Sequence, residues 1–209
     1  MSKHHRNRNW APAPQPLPED AHVIDNHTHV ASVVPFSQAM SHEAMEKGQG
    51  EVPVYSVDEL LEQAQKVGVE GVIDCGCELP NLMTAIDMAR EHPGTVHAAI
   101  AIHPNEAVLH GHRGAPGPDG LPIKYKPWHD IPFDEAMAEV HRLATTYPNQ
   151  VVAIGETGMD LFRTGESAKE LQREAFRAHI ALAKELNLPM QIHDRDSHRE
   201  VIETLLADG

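Results

Sequence analysis

The sequence predicts an α/β protein of repeated strand–helix units, arranged as a TIM-like (β/α) barrel or a doubly wound sheet. Five short runs rich in Val and Ile, at 22–26, 69–75, 96–102, 151–155 and 188–193, are apolar with little polar alternation. That is the pattern of parallel strands covered on both faces. Amphipathic stretches of helical period lie between them, so the strand–helix alternation recurs five times along the chain. No glycine-rich phosphate fingerprint follows the first run, which weakens the nucleotide-binding, doubly wound alternative.

Each element has a local cause. The opening residues 1–20, MSKHHRNRNWAPAPQPLPED, space their prolines as an extended arm does. The first strand ends in Asp25, His27 and His29, and a long loop over 30–55 follows. Ser56 with Glu59 reads as a capping box before Leu60, Leu61, Ala64 and Val67, with Gly68 as the stop. Helices fit 81–91 and 133–146, ended by Pro93 and Pro148. A second long loop, 103–132, contains the irregular stretch HRGAPGPDGLP and reads as an insertion or a mobile lid, centred on about 105–130. Ser167 with Glu170 and Ser197 with Glu200 predict two further boxed helices, the last over 197–207.

Bulk properties narrow the function. The chain of 209 residues carries a net charge of −14 with histidine neutral, which disfavours a protein that coats duplex DNA non-specifically. It does not disfavour an enzyme that grips phosphate through bound cations, because those invert the local field. No apolar run is long enough to cross a membrane, and the basic start lacks the apolar core of a secretory signal. The two cysteines, Cys75 and Cys77, are poorly spaced for a stabilising disulfide, which favours a reducing cytoplasm.

Barrel enzymes keep their chemistry at the carboxyl ends of strands. Here those ends deliver His27 and His29 from the first strand, His103 from the third, Glu156 and Asp160 from the fourth, and His193, Asp194 and Arg195 from the fifth. Residues i and i+2 of a strand share a face, so His27 and His29 aim two imidazoles at one point. Singly, each has an ordinary reading in a chain with 16 histidines. Glu156 could cap a helix, His193 could be a hydrogen-bonded core histidine, His103 a loop anchor and Arg195 half of an ion pair. Metal-competent ligands at the same end of four of the five strands favour a metal centre. Imidazole and carboxylate suit Zn²⁺, Mn²⁺ or Mg²⁺, and a carboxylate can bridge two cations.

The motifs IDNHTHV, AIHP, AIGETGMD and LPMQIHDRD occur in the order and spacing of the TatD family of metal-dependent hydrolases, which this chain resembles from about residue 22 to 209. The resemblance implies a TIM-like barrel of the metal-dependent hydrolase type, with two divalent ions (Mg²⁺, Mn²⁺ or Zn²⁺). It implies phosphodiester cleavage in nucleic acid, DNA first, from single strands or 3′ ends, by a metal-activated water. By position, His27, His29, Glu156 and His193 would be ligands, Glu156 the catalytic carboxylate shared by both ions, and His103 and Arg195 would support them or contact phosphate. Glu156, where related amidohydrolases often carry a modified lysine, favours this family over an amidohydrolase-like lactonase or amidase. Met159 and Asp194 replace the family's commoner leucine and serine, and the stretch 111–127 is unmatched. The family's later histidine and aspartate motifs are absent from these residues. Five strands cannot close an eight-stranded barrel, so the expectation is the N-terminal portion of a longer barrel, or a metal-binding remnant of low activity.

Overall fold

A computed structural model describes residues 16–18, 20–48, 53–112, 124–164 and 166–209. The expected arm over 1–20 therefore lies mostly outside the described residues, as does much of the irregular insertion. The elements are β1 (Val23–Thr28), α1 (Val30–Glu46), α2 (Val57–Lys66), β2 (Val69–Gly76), α3 (Leu79–Glu91), β3 (Val96–Ile100), α4 (Pro104–Ala107), α5 (Phe133–Thr146), β4 (Val151–Asp160), α6 (Lys169–Leu186), β5 (Met190–Arg195) and α7 (His198–Asp208). The five strands form one sheet in the order β1-β2-β3-β4-β5. β2, β3, β4 and β5 pair in parallel. The doubly wound alternative is set aside, because a doubly wound sheet reverses strand order and this one runs in sequence order.

The chain forms two compact units, one of residues up to Asp25 with Val30–Gly71, the other of Asn26–His29 with Val72–Gly209. In the first, the Ser56–Glu59 box opens α2 as expected, with the Ser56 hydroxyl accepting from the Glu59 amide and the Glu59 carboxylate accepting from the Ser56 amide. The Leu17 amide donates to the Val67 carbonyl at 2.9 Å, tying down the end of the expected arm. The expected loop after β1 is instead largely the helix α1. Its sequence hid this because Pro35 interrupts it and its apolar residues make no single stripe. Ser37 is buried while Phe36 and Met45 are exposed.

The second unit carries the main core. β3 and β4 are buried almost throughout, as two-sided coverage requires. α3 packs on β3 and α6 on β4. Met159, Phe176, Ile180 and Val201 form one apolar cluster, and Met159 fills its leucine-like position without exposure. A second cluster of small residues, Cys75, Ala99 and Ala153, lines up across the β2–β3–β4 register. Gln191 of β5 closes over it, its Oε1 accepting from the Cys75 thiol at 2.9 Å and its Nε2 donating to the Asn26 carbonyl of β1.

Two capping boxes are corrected. α6 is entered through a 3-10 turn with Ala168 at its N-cap, and Glu170 pairs with Arg173 at 2.5 Å instead of reaching back to Ser167. At α7 the Ser197 hydroxyl is taken by the Met159 carbonyl at 2.7 Å, and Glu200 pairs with Lys169 at 2.8 Å. At α6 an ion pair one turn along the same helix outcompetes the box, and at α7 tertiary partners do. The described flanks of the 103–132 loop are also more regular than expected. They hold α4 and two 3-10 turns, anchored by Glu106, which accepts from His129 Nε2 at 2.7 Å and Trp128 Nε1 at 3.2 Å.

Candidate metal centre

Glu156 reaches the centre because β4 carries a bulge. Ile154 pairs with Met190 and Thr157 with Ile192, so three steps along β4 oppose two along β5. Side chains alternate with period two, and Ala153 already faces the small-residue cluster, so an unbroken strand would turn Glu156 to the opposite face. The extra residue restores it. Gly155 and Gly158 let β5 pass close enough to make this register. A Cβ on Gly155 would fall 2.5 Å from the Gln191 Cβ, and one on Gly158, at φ +138°, would fall 2.2 Å from the His193 carbonyl oxygen.

The Glu156 carboxylate faces two groups of imidazoles, one on each oxygen. Oε2 lies 3.4 Å from His27 Nε2 and 3.7 Å from His29 Nε2. Oε1 lies 2.5 Å from His193 Nδ1 and 3.8 Å from His103 Nε2. Within each group, His27–His29–Glu156 and His103–Glu156–His193, the candidate donor atoms all lie within 4.8 Å of one another. A cation with ligands at about 2.1 Å sets them roughly 3 to 3.5 Å apart, so both groups need only small contraction to fit.

Backbone and side-chain bonds orient these rings. Thr28 Oγ1 donates to the Ile73 carbonyl at 3.0 Å, and His29 Nδ1 donates to the Cys75 carbonyl at 3.3 Å, which leaves Nε2 as the free lone pair facing Glu156. His27 Nδ1 rests 3.8 Å from the Cys75 sulfur. His193 Nε2 meets the Asp160 carboxylate at 3.1 Å. His103 Nδ1 accepts from the Asn105 amide at 3.2 Å and its Nε2 lies 3.3 Å from His193 Nδ1. The Cys77 thiol stands 3.8 Å from Glu156 Oε2.

Electrostatics follow from this packing. Burial works against the charge of Glu156, but the hydrogen bond from His193 and the surrounding imidazoles outweigh it and hold its pKa at about 2. Burial also opposes a charge on His193, yet its bonds to Glu156 and Asp160 raise its pKa above the ordinary value. His103, buried beside His193, is pushed down to about 4 and stays neutral. Asp160 is held below the usual carboxylate range despite its burial, by bonds from the Arg163 amide, Asn105 and His193.

The structure thus brings His27, His29, His103, Glu156 and His193 together, with His103 Nε2 the farthest of the four imidazoles from Glu156. Arg195 is not among them; its guanidinium carbon sits 4.1 Å from the centroid of the Phe162 ring. Sequence reasoning gave no role to Asp160, which orients His193, or to Asn105, Thr164 and Gln172, which fix Asp160 in turn. The Gln172 Oε1 accepts from the Asp160 amide at 2.8 Å, and Thr164 Oγ1 donates to Asn105 Oδ1 at 2.7 Å. His179 was also missed. Fully buried, it accepts from the Ile102 amide at 3.1 Å and so anchors the residue before His103. A polar residue on the apolar face of α6 was the available signal.

The profile of the family described as TatD related DNase matches residues 24–208. The chain belongs to that family. Among TatD relatives, the chain is 33% identical over 153 residues to an uncharacterized metal-dependent hydrolase, YabD of Bacillus subtilis, covering 73% of this chain and 50% of that one. It is 32% identical over 148 residues to a 3′-5′ ssDNA/RNA exonuclease TatD of Erwinia tasmaniensis, covering 71% and 48%. The crystal structure of YJJV, a TatD homologue from Escherichia coli, superposes with a TM-score of 0.59 at 25% identity over 88% of this chain and 55% of that one. A TatD family hydrolase from Entamoeba histolytica superposes with a TM-score of 0.61 at 20% identity, over 89% and 54%, a likeness of fold. The chain spans about half the length of the curated relatives it matches. Among the described residues, no helix is long and apolar enough to cross a membrane.

Proposed function

We propose that this protein is a metal-dependent hydrolase that cleaves phosphodiester bonds of nucleic acid, DNA first, at the 3′ end of single strands. The observation that carries this reading is the division of Glu156 between two imidazole groups, Oε2 toward His27 and His29 and Oε1 toward His103 and His193. His27, His29 and Glu156 would hold one divalent ion, and Glu156 and His193 would share in the second, with His103 supporting them through its Nε2 proton and with Mg²⁺, Mn²⁺ and Zn²⁺ all compatible with these donors. Divalent cations supply a water that ionises near neutrality and neutralise charge on the leaving oxygen.

The chain's own residues do the rest. Glu156 stays ionised and joins the two groups. Loss of the His193 proton opens a donor toward Glu156 Oε1, while Asp160 keeps hold of the other ring nitrogen. His103 stays neutral beside it. Arg195 offers a guanidinium to a flanking phosphate. Cys75 and Cys77 are not joined in a disulfide, which suits a reducing compartment such as the cytoplasm. The test is hydrolysis of a 3′-labelled single-stranded oligonucleotide against a lactone, each with Mg²⁺, Mn²⁺ or Zn²⁺. Oligonucleotide cleavage abolished by Glu156→Ala supports the reading; cleavage of the lactone alone overturns it.

A further inference from the structure

Phe162 stands on the turn leaving β4, two residues past Asp160, and 51% of its surface is exposed. Exposure alone does not single it out, since Phe36 is 55% exposed; what does is the cation held against its ring. One face of its ring is covered by the Arg195 guanidinium, 4.1 Å from the centroid, which leaves the other for a flat partner. Arg195 lies two residues past His193 on the same face of β5 and pairs in register with Asp160. The pair therefore sits at the strand ends beside the centre. In a chain of net charge −14, Arg195 is in ion-pair contact with no carboxylate among the described residues. An aromatic support, not an acid, holds this cation, so its donors remain free for an anion.

We propose that Phe162 and Arg195 form a nucleotide subsite, in which the open face of Phe162 stacks on the 3′-terminal base and Arg195 contacts the adjacent phosphate. This rests on the nucleic-acid reading above and gives its single-strand preference a source in named residues. A base held inside a duplex has no free face for the ring, whereas every unpaired base does, so stacking would discriminate strand state and not sequence.

Binding tests it directly, on the whole chain, with phosphorothioate-protected single strands that end in 2-aminopurine or in an abasic residue. Wild type is expected to bind the base-terminated strand about tenfold more tightly than the abasic one, with quenched 2-aminopurine fluorescence. Phe162→Ala should bind both strands as wild type binds the abasic one, and Phe162→Trp should keep the preference. Arg195→Gln should weaken both strands alike and reduce the salt slope by about one. Equal wild-type affinity for the two strands, or an unchanged preference in Phe162→Ala, overturns the stacking subsite and leaves the nucleic-acid reading standing. Failure of wild type to bind either strand overturns the nucleic-acid reading itself, and the subsite with it. Phe162 is a surface residue, and a melting curve of each variant separates misfolding from lost binding.

Discussion

His193 Nδ1 lies 2.5 Å from Glu156 Oε1, while its other nitrogen lies 3.1 Å from the Asp160 carboxylate. One imidazole is thus strung between a carboxylate shared by two donor groups and a carboxylate held from behind by Asn105 and the Arg163 amide. His193, a proposed ligand, is oriented by an acid behind it.

Asp160→Asn should weaken Mn²⁺ binding by about 10- to 100-fold, because the amide no longer favours a proton on His193 Nε2. Calorimetric titration of variant and wild type measures this. Unchanged affinity would mean that the Asp160–His193 contact serves folding alone.

Glu156→Gln should lower the metal content of purified protein more than loss of either His27 or His103 alone, since Glu156 belongs to both groups and each histidine to one. Elemental analysis after dialysis gives the comparison. A content equal to that of His103→Ala would remove the bridging role.

Gly158→Ala should destabilise the fold by about 3 kcal/mol or more, through a backbone clash and a strained positive φ. For a chain of this size that is a fall of about 6 to 12 °C in melting temperature. Gly94→Ala is a useful comparison. Gly94 also has positive φ, +82°, but its Cβ would meet nothing within 4 Å, so its cost should be smaller.

His179 makes stability depend on pH. Burial depresses its pKa to about 4, against which its bond to the Ala175 carbonyl only partly works. The unfolded chain takes up a proton near the ordinary histidine value while the folded one does not, so this contribution is complete above about pH 6.5 and is lost as pH falls toward 4. Between pH 7 and pH 5 the loss is about 2 kcal/mol. Urea denaturation at the two pH values should show a steeper loss for wild type than for His179→Gln. Equal losses would mean that His179 is charged in the fold.

How much of this was legible can be judged from particular residues. The five strands, the Ser56–Glu59 cap and the helices starting near 79, 133 and 198 follow from local chemistry, which the chain writes within a few residues. α1 was not legible, because its stability does not come from a stripe of its own. The cap at Ser197 was misread because Lys169 and the Met159 carbonyl, both distant in sequence, engage its residues, and the cap at Ser167 because Glu170 pairs one turn on with Arg173, a local rival to the box.

The sequence by itself determined which donors exist and that they fall at strand ends: His27, His29, His103, Glu156 and His193. Only the tertiary structure decided which of them converge. The face of Glu156 depends on one extra residue in β4, and that bulge exists only in register with β5, whose approach Gly155 and Gly158 permit. The inclusion of His103 depends on His179 of α6, and the aim of His193 on Asp160, Asn105 and Gln172. These are contacts between residues as many as 77 positions apart, and a period-two or period-3.6 pattern contains no information about them.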